Sequence, residues 1–127
     1  MNAKELLSEA REGNAEAQYQ LGLAYFKGEG VPKDSAYGVR WSEKAAKIGH
    51  AGAQNNLGAA FHNGDGISKN LDKAVYWYTE SAKQGYVRAM SNLHNLGTQF
   101  GRGDGVPQNF EKAFELYQLS ANCTVPN

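Results

Sequence analysis

Several features that mark other protein classes are scarce in this chain of 127 residues. It has one cysteine, Cys123, so no intramolecular disulfide can form and a site built from paired thiolates is excluded. Basic and acidic side chains number 13 each, which leaves no net charge and no basic surface of the kind that nucleic acids or anionic membranes attract. No apolar run approaches membrane-spanning length. We therefore expect neither nucleic acid nor membrane as a partner.

The N-terminal segment gives no sign of export. Residues 1–14 mix Lys4, Glu5, Glu9 and Arg11 with only two leucines, and they lack the apolar centre of a secretory signal. Together with the single cysteine, this favours a reducing compartment, and we expect the chain as written to be cytoplasmic. A periplasmic or secreted location is expected only if a leader was removed.

Glycine, by contrast, is abundant and periodic. The 15 glycines include three versions of one segment, namely GEGVPKD at 28–34, GDGISKN at 64–70 and GDGVPQN at 103–109. The preceding segments repeat as well, because AEAQYQLGLAYFKGEGV at 15 aligns with AGAQNNLGAAFHNGDGI at 51. A period of this length indicates a repeat protein whose units are single supersecondary elements.

Each copy is predicted to form two helices joined by the glycine-rich segment. In the first helix, Ala17, Leu21 and Tyr25 recur at every fourth position, as on one buried helix face. A short polar residue precedes each second helix, where its oxygen can accept hydrogen bonds from free amide groups. These predicted N-caps are Asp34, Asn70 and Asn109. The predicted helix-ending glycines are Gly13, Gly49 and Gly85.

The glycine-rich segments share only their composition with ligand-binding loops. A phosphate loop needs a preceding strand and a closing Lys-Ser/Thr pair, and a calcium loop needs alternating acidic residues and a closing glutamate. Neither pattern is present, so we interpret the segments as turns. Gly22 and Gly58, inside the first helices, are predicted to mark points where neighbouring helices approach closely.

The consensus A-x-AQ-x-x-LG-x-x-Y/F-x-x-G-x-GV-x-x-D/N-x-x-KA-x-x-W-x-x-x-A-A-x-x-G resembles the Sel1-like repeat (SLR), a relative of the tetratricopeptide repeat. The resemblance covers residues 15 to about 122, although Tyr37-Gly38 and Met90 depart from it. It implies an all-α fold, an α/α solenoid wound as a right-handed superhelix of three two-helix repeats plus an N-terminal helix. We expect one domain, 1–127, with the N-terminal helix at about 3–12 and repeats at about 15–50, 51–86 and 87–125.

The same resemblance implies a non-enzymatic adaptor, usually bacterial, whose first helices line a concave groove that binds a peptide or protein surface. The groove positions lie around the Leu-Gly pair but outside the apolar stripe. The predicted partner-binding residues are Tyr19, Leu23, Phe26, Asn55, Ala59, His62, Ser91 and Thr98. Their predicted neighbours are Glu16, Lys27, Asn63, Arg88 and Arg102. The alternative that stays open is that these side chains pack beneath the N-terminal helix.

Nothing in the sequence favours catalysis. The histidines at 50, 62 and 94 lack metal-ligand spacing, and Cys123 has no neighbour that would create a thiolate. No nucleophile elbow or dinucleotide fingerprint occurs. We expect no catalytic residue, metal or cofactor. The alternative function is a β-lactam-binding or hydrolase-like SLR protein, but the relatives linked to β-lactams carry paired cysteines.

The third copy differs from the others in two respects. Gly28 to Gly64 is 36 residues but Gly64 to Gly103 is 39, so three extra residues lie near 92–96. Three residues advance a helix by about 300°, so the helix faces before and after the extra residues are out of phase by about 60°. Either the helix gains a turn with Leu93 and Leu96 both in the core, or a local bulge corrects the difference in phase.

The outer face of the last repeat also lacks a covering helix in this sequence, and solenoids normally cap that face. We predict that a second copy, or chain outside this sequence, covers it. The residues predicted to form it are Phe114, Leu116, Tyr117 and Leu119.

Overall fold

The computed structural model describes residues 2–123, which form seven α-helices and no strand. The helices are α1 (Ala3–Arg11), α2 (Ala15–Lys27), α3 (Ser35–Lys47), α4 (Ala51–Asn63), α5 (Leu71–Lys83), α6 (Val87–Arg102) and α7 (Phe110–Asn122). The predicted all-α architecture of successive helix pairs is confirmed. Residues 124 and 125, which end the predicted third repeat, lie outside the described range.

The helices group into two compact units that divide between Trp77 and Tyr78, within α5. In the first unit α1 packs on α2, α2 on α3, and α3 on α4, following the order of the chain. In the second unit α6 packs on α7. This sequential packing is expected of helical repeats, because a single hairpin cannot bury its own apolar stripe.

Local signals set where the helices begin and end. The three predicted N-caps are confirmed, because each side-chain oxygen accepts a backbone N–H three residues later at 3.0 to 3.2 Å. The first glycine of each glycine-rich segment caps the preceding helix with φ between 67° and 72°. A side chain at such a position would be strained, so these segments act as turns, as predicted.

The α1 helix contributes to the core next to the predicted apolar stripe of α2. Ala10 of α1 forms a core cluster with Ala17 and Leu21, against which Tyr25 and Trp41 also pack. Ala17, Leu21 and Tyr25 are the residues of the predicted stripe. The N-terminal helix therefore covers that stripe.

The α2 and α3 helices approach closely around Gly22. A Cβ atom on Gly22 would lie 2.8 Å from the Ser42 Oγ and 3.2 Å from the carbonyl oxygen of Gly38. The predicted close approach at this glycine is therefore confirmed. Gly38 has a similar role, since a Cβ there would lie 2.9 Å from Cγ of Phe26.

The three extra residues of the third copy lengthen a helix. The α6 helix has 16 residues, whereas α2 and α4 have 13 each, and it runs without a break. Leu93 and Leu96 are each 0% exposed. Residues three apart lie on one helix face, so both leucines fit the same core. The extended-helix alternative is confirmed, and no bulge occurs in α6.

The outer face of α7 differs in part from the prediction. Leu116 is buried, so its assignment to the open face was wrong. The reason is its position between Ala113 and Ser120, on the side of α7 that packs inward. Phe114 and Tyr117 are exposed as predicted, Leu119 is half-buried, and Phe110, which was not predicted, is exposed as well.

Candidate partner-binding site

A recess of about 180 Å³ lies between α2 and α4 in the first unit. Its lining residues are Leu23, Phe26, Asn56, Ala59, Ala60, Asn63 and Asp65. Three of them, Leu23, Phe26 and Ala59, are among the predicted partner-binding residues. Asn63 was predicted as a neighbour of that set, whereas Asn56, Ala60 and Asp65 were not predicted.

Helical spacing explains how these side chains converge. The α4 residues stand at positions i, i+3, i+4 and i+7, which form one face of a helix, and the α2 residues stand at i and i+3. Two large side chains on α2 therefore face two alanines on α4. The small volume of Ala59 and Ala60 leaves the open space.

The recess combines an apolar lining with two polar side chains, Asn56 and Asp65. The Nδ2 nitrogen of Asn56 is enclosed and donates to no acceptor among the described residues. The carboxylate of Asp65 forms no ion pair within residues 2–123. An enclosed donor without an acceptor is unfavourable.

The Phe26 ring packs against α3. Gly38 on α3 lies directly under its ring, where even a methyl group would collide. The ring therefore forms a fixed wall of the recess with one side packed on α3. A rigid wall lowers the conformational entropy lost when a ligand binds.

Tyr19, a predicted groove residue, is engaged elsewhere. Its ring stacks on the imidazole of His50 with centroids 4.5 Å apart, and Gly52 lies against it. The Nδ1 atom of His50 accepts the Ala53 N–H at 3.1 Å, so Nε2 carries the proton and donates to Glu16 Oε2 at 2.6 Å. These contacts fasten α2 to the start of α4.

The Glu16 carboxylate also accepts a hydrogen bond from Gln20 at 3.1 Å. The bond from His50, with a smaller contribution from Gln20, holds the pKa of Glu16 below its usual value against the opposing effect of burial. Glu16 was predicted as a neighbour of the groove set. Its described contacts are those of a structural link between the first two repeats.

The remaining predicted residues lie outside the recess. Asn55 is only 6% exposed, and His62 is half-buried. Ser91 and Thr98 belong to the second unit, where they line two different surface depressions. Thr98 shares a hydrogen bond with the Tyr117 hydroxyl at 2.9 Å.

The described residues offer no group of ligands for a metal ion, since no three His, Cys, Asp or Glu side chains converge. Burial raises the pKa of the Cys123 thiol, against a smaller opposing effect of Lys83. The thiol is therefore protonated near neutral pH and is a poor nucleophile. No helix in the described part of the chain is long and apolar enough to cross a membrane.

Comparison with known families supports the repeat assignment. A model of the Sel1 repeat matches residues 15–50, 51–86 and 93–124. The third match begins at Leu93, after the first part of α6, which agrees with the extra residues lying inside that helix. No curated protein matches the chain.

Two solved structures from bacteria are similar to this chain. A Sel1 repeat protein from Oxalobacter formigenes shares 37% identity over 87% of the chain, with a TM-score of 0.67. A protective antigen of uropathogenic Escherichia coli with an SLR fold shares 29% identity over 96% of the chain, with a TM-score of 0.57. The chain spans 43% and 33% of the lengths of these two proteins.

Proposed function

Because the chain belongs to the Sel1 repeat family, which commonly mediates protein–protein interaction and is generally non-catalytic, we propose that it is a non-enzymatic binding scaffold. Its ligand is a peptide segment of a protein partner, and the recess between α2 and α4 receives that segment. The observation that carries the proposal is the apolar recess, which is also lined by the Asn56 amide and the Asp65 carboxylate.

The size of the recess favours a peptide side chain over a small molecule. Small-molecule sites usually measure about 300–1,000 Å³. The recess measures about 180 Å³, and its lining is mostly apolar. One large apolar side chain matches this volume, and such anchors contribute most of the energy at protein interfaces.

The polar groups define which peptide fits. The Asn56 side chain lines the recess and supplies a polar group beside the anchoring side chain. Asp65 places a negative charge at the edge of the recess, where it attracts a Lys or Arg neighbour of the anchor. The partner motif is therefore one large apolar residue next to a basic residue.

Display of a random peptide library tests this proposal. We expect the full chain to enrich peptides that carry an apolar anchor adjacent to Lys or Arg. Ala59→Arg places a long side chain in the recess and should abolish this binding. Ala36→Arg is the matched control, because it makes the same change at an exposed position of α3 outside the recess.

Two outcomes would contradict the proposal. Either the library yields no enriched motif, or the enriched peptides bind the Ala59→Arg variant as well as they bind the unmodified chain. Substitutions of Phe26 or Tyr19 are poor tests, because both rings pack on glycines of neighbouring helices. Their removal would lower stability as well as binding.

A further inference from the structure

Two turns of the chain contain the same Asp-Gly pair in nearly the same sequence. They are GDGI at 64–67 and GDGV at 103–106. The two aspartates, Asp65 and Asp104, are both exposed. In the first repeat Glu29 takes the place of the aspartate. The two Asp-Gly pairs are therefore a matched comparison, because their sequence and exposure are alike and the packing around the glycine differs.

An aspartate followed by glycine can rearrange without an enzyme. The glycine nitrogen bonds to the side-chain Cγ of the protonated aspartate, and the N–H proton leaves with the Cγ hydroxyl group as water, which gives a succinimide ring. Water then opens the ring at Cγ, which restores aspartate, or at the former backbone carbonyl carbon, which gives isoaspartate. Glycine favours the attack because it has no Cβ beside its nitrogen.

Gly66 is packed against the beginning of α3. A Cβ atom on Gly66 would lie 2.4 Å from the carbonyl oxygen of Ser35 and 3.0 Å from the backbone nitrogen of Ala36. The Gly66 backbone therefore lies directly against the backbone of α3. Closure of the succinimide ring requires this glycine to move, and the close packing opposes the movement.

Gly105 has the same backbone conformation without such a contact. Its φ is 72°, close to the 78° of Gly66. Among the described residues of the second unit, the atom nearest to a Cβ on Gly105 would be Gln99 Nε2, at 3.9 Å. The Gly105 N–H forms no hydrogen bond within residues 2–123. Its nitrogen can therefore move toward the Asp104 side chain.

A hydrogen bond to the same peptide group assists the attack. Gln99 Nε2 donates to the carbonyl oxygen of Asp104 at 2.9 Å. The peptide nitrogen attacks most readily after it loses its proton, and the negative charge that results is shared with this oxygen. A donor to the oxygen stabilises that charge. Ala60 stands at the equivalent position before Asp65 and has no side-chain donor.

The Asn63-Gly64 pair has related chemistry but is held in a helix. Here ammonia, rather than water, leaves when the glycine nitrogen bonds to the side-chain Cγ. Asn63 is the last residue of α4, and the Gly64 N–H donates to the carbonyl oxygen of Ala60. Attack requires this hydrogen bond to break and the last turn of α4 to open, so the folded chain protects Asn63.

We propose that Asp104 is the residue at which the folded chain forms isoaspartate. The product lengthens the backbone of the turn between α6 and α7 by one carbon and leaves a carboxylate on the former Cα. Isoaspartyl residues are the substrates of carboxyl methyltransferases that use S-adenosylmethionine, so such an enzyme would act on this turn. The turn belongs to the second unit, and the proposal is independent of peptide binding in the recess.

Incubation of the full chain at physiological temperature and pH, followed by peptide mapping, tests the proposal. Electron-transfer fragmentation distinguishes isoaspartate from aspartate at each position. We expect isoaspartate to form about tenfold faster at Asp104 than at Asp65, as an added activation free energy of about 1.4 kcal/mol at Asp65 would give. In concentrated urea these two rates should become equal, because the flanking residues are nearly identical, and deamidation of Asn63 should appear.

Asp104→Glu is the control variant. The first repeat already has glutamate at the equivalent position, and the six-membered ring that glutamate would form closes slowly. An isoaspartyl carboxyl methyltransferase should label the aged unmodified chain and should label the aged variant much less. Circular dichroism confirms that the helices of the variant persist.

An aged chain without isoaspartate at Asp104, or with equal rates at Asp65 and Asp104 in the folded state, would overturn the proposal. Isoaspartate that forms mainly at Asp65 or Asn63 of the folded chain would do the same. So would methyltransferase labelling that is undiminished in Asp104→Glu.

Discussion

The α2–α3 hairpin of the first unit and the α6–α7 hairpin of the second occupy equivalent repeat positions, yet they distribute side-chain volume differently. Phe26 packs on Gly38 in the first hairpin, whereas the equivalent residues in the second are Gly101 and Ala113. Gly22 faces Ser42 in the first, whereas the equivalent Gly97 faces Tyr117.

This comparison shows that an aromatic ring on one helix of a hairpin faces a glycine on the other helix. Where α2 carries a ring, α3 carries glycine, and where α7 carries a ring, α6 carries glycine. The aromatic ring consequently changes helix. In the first hairpin it lines the recess beside α4, and in the second it is Tyr117 of α7, which lies against Gly97 of α6.

The largest effects are expected in α6, which is three residues longer than α2. Leu93→Ala and Leu96→Ala should each lower the free energy of unfolding by about 3 kcal/mol, because both side chains are fully buried. Urea denaturation measures this, with exposed Asn95→Ala as the control. If only one of the two substitutions lowered the free energy of unfolding, Leu93 and Leu96 would not both contribute to the core.

Alanine substitutions at Gly22 and Gly101 should differ in their effect on stability, because the first glycine is in very close contact with its neighbours and the second is in ordinary contact. Gly22→Ala should destabilise the chain by about 2 kcal/mol, because its Cβ would meet Ser42 and the Gly38 backbone at 2.8 to 3.3 Å. Gly101→Ala meets Ala113 at 3.5 Å, so it should be neutral or stabilising by up to about 1 kcal/mol. Thermal unfolding of both variants checks the difference, and equal effects would contradict this difference in contact.

A double-mutant cycle examines the Phe26–Gly38 pair directly. Gly38→Ala should be destabilising in the presence of the ring but nearly neutral in a Phe26→Ala background. We expect a coupling free energy of about 1 to 2 kcal/mol between the two positions. Additive effects would mean that the ring does not depend on the glycine beneath it.

The smallest effect concerns the link between Glu16 and His50. The pKa of Glu16 is lowered in the folded chain, so its stabilising contribution is present above the usual glutamate pKa and is lost as pH falls through the folded value. His50→Asn keeps an N-cap acceptor but removes this contact. Stability near neutral pH should fall by only about 0.3 kcal/mol, because Glu16 is exposed.

The check is unfolding free energy measured from neutral pH to about pH 3, across the range in which glutamate titrates. The unmodified chain should lose this small contribution on acidification, and His50→Asn should lose less. An identical acid dependence in both would show that the hydrogen bond does not stabilise the fold.

Much of the fold could be predicted from sequence because its signals are local and repeated. The N-cap at Asp34 and the close approach at Gly22 depend on residues within one hairpin. The two alternatives for α6 followed from counting residues between glycines, although only the burial of both Leu93 and Leu96 decides between them.

The residues that line the recess were predicted only in part, because the lining depends on the direction in which each side chain points between repeats. Asn55 and Asn56 are adjacent in sequence, but a step of about 100° separates their directions, and only Asn56 lines the recess. The Tyr19 ring stacks on His50, a residue 31 positions away in the chain. Nothing in the sequence of a single repeat specifies such contacts.

The most direct test of peptide binding is a heteronuclear NMR titration of the full chain with one enriched peptide. We predict that the largest shift changes occur at Leu23, Asn63 and the side-chain amide of Asn56, and that Ala59→Arg removes them while Ala36→Arg does not. Changes confined to other surfaces, or changes that persist in Ala59→Arg, would contradict binding in the recess.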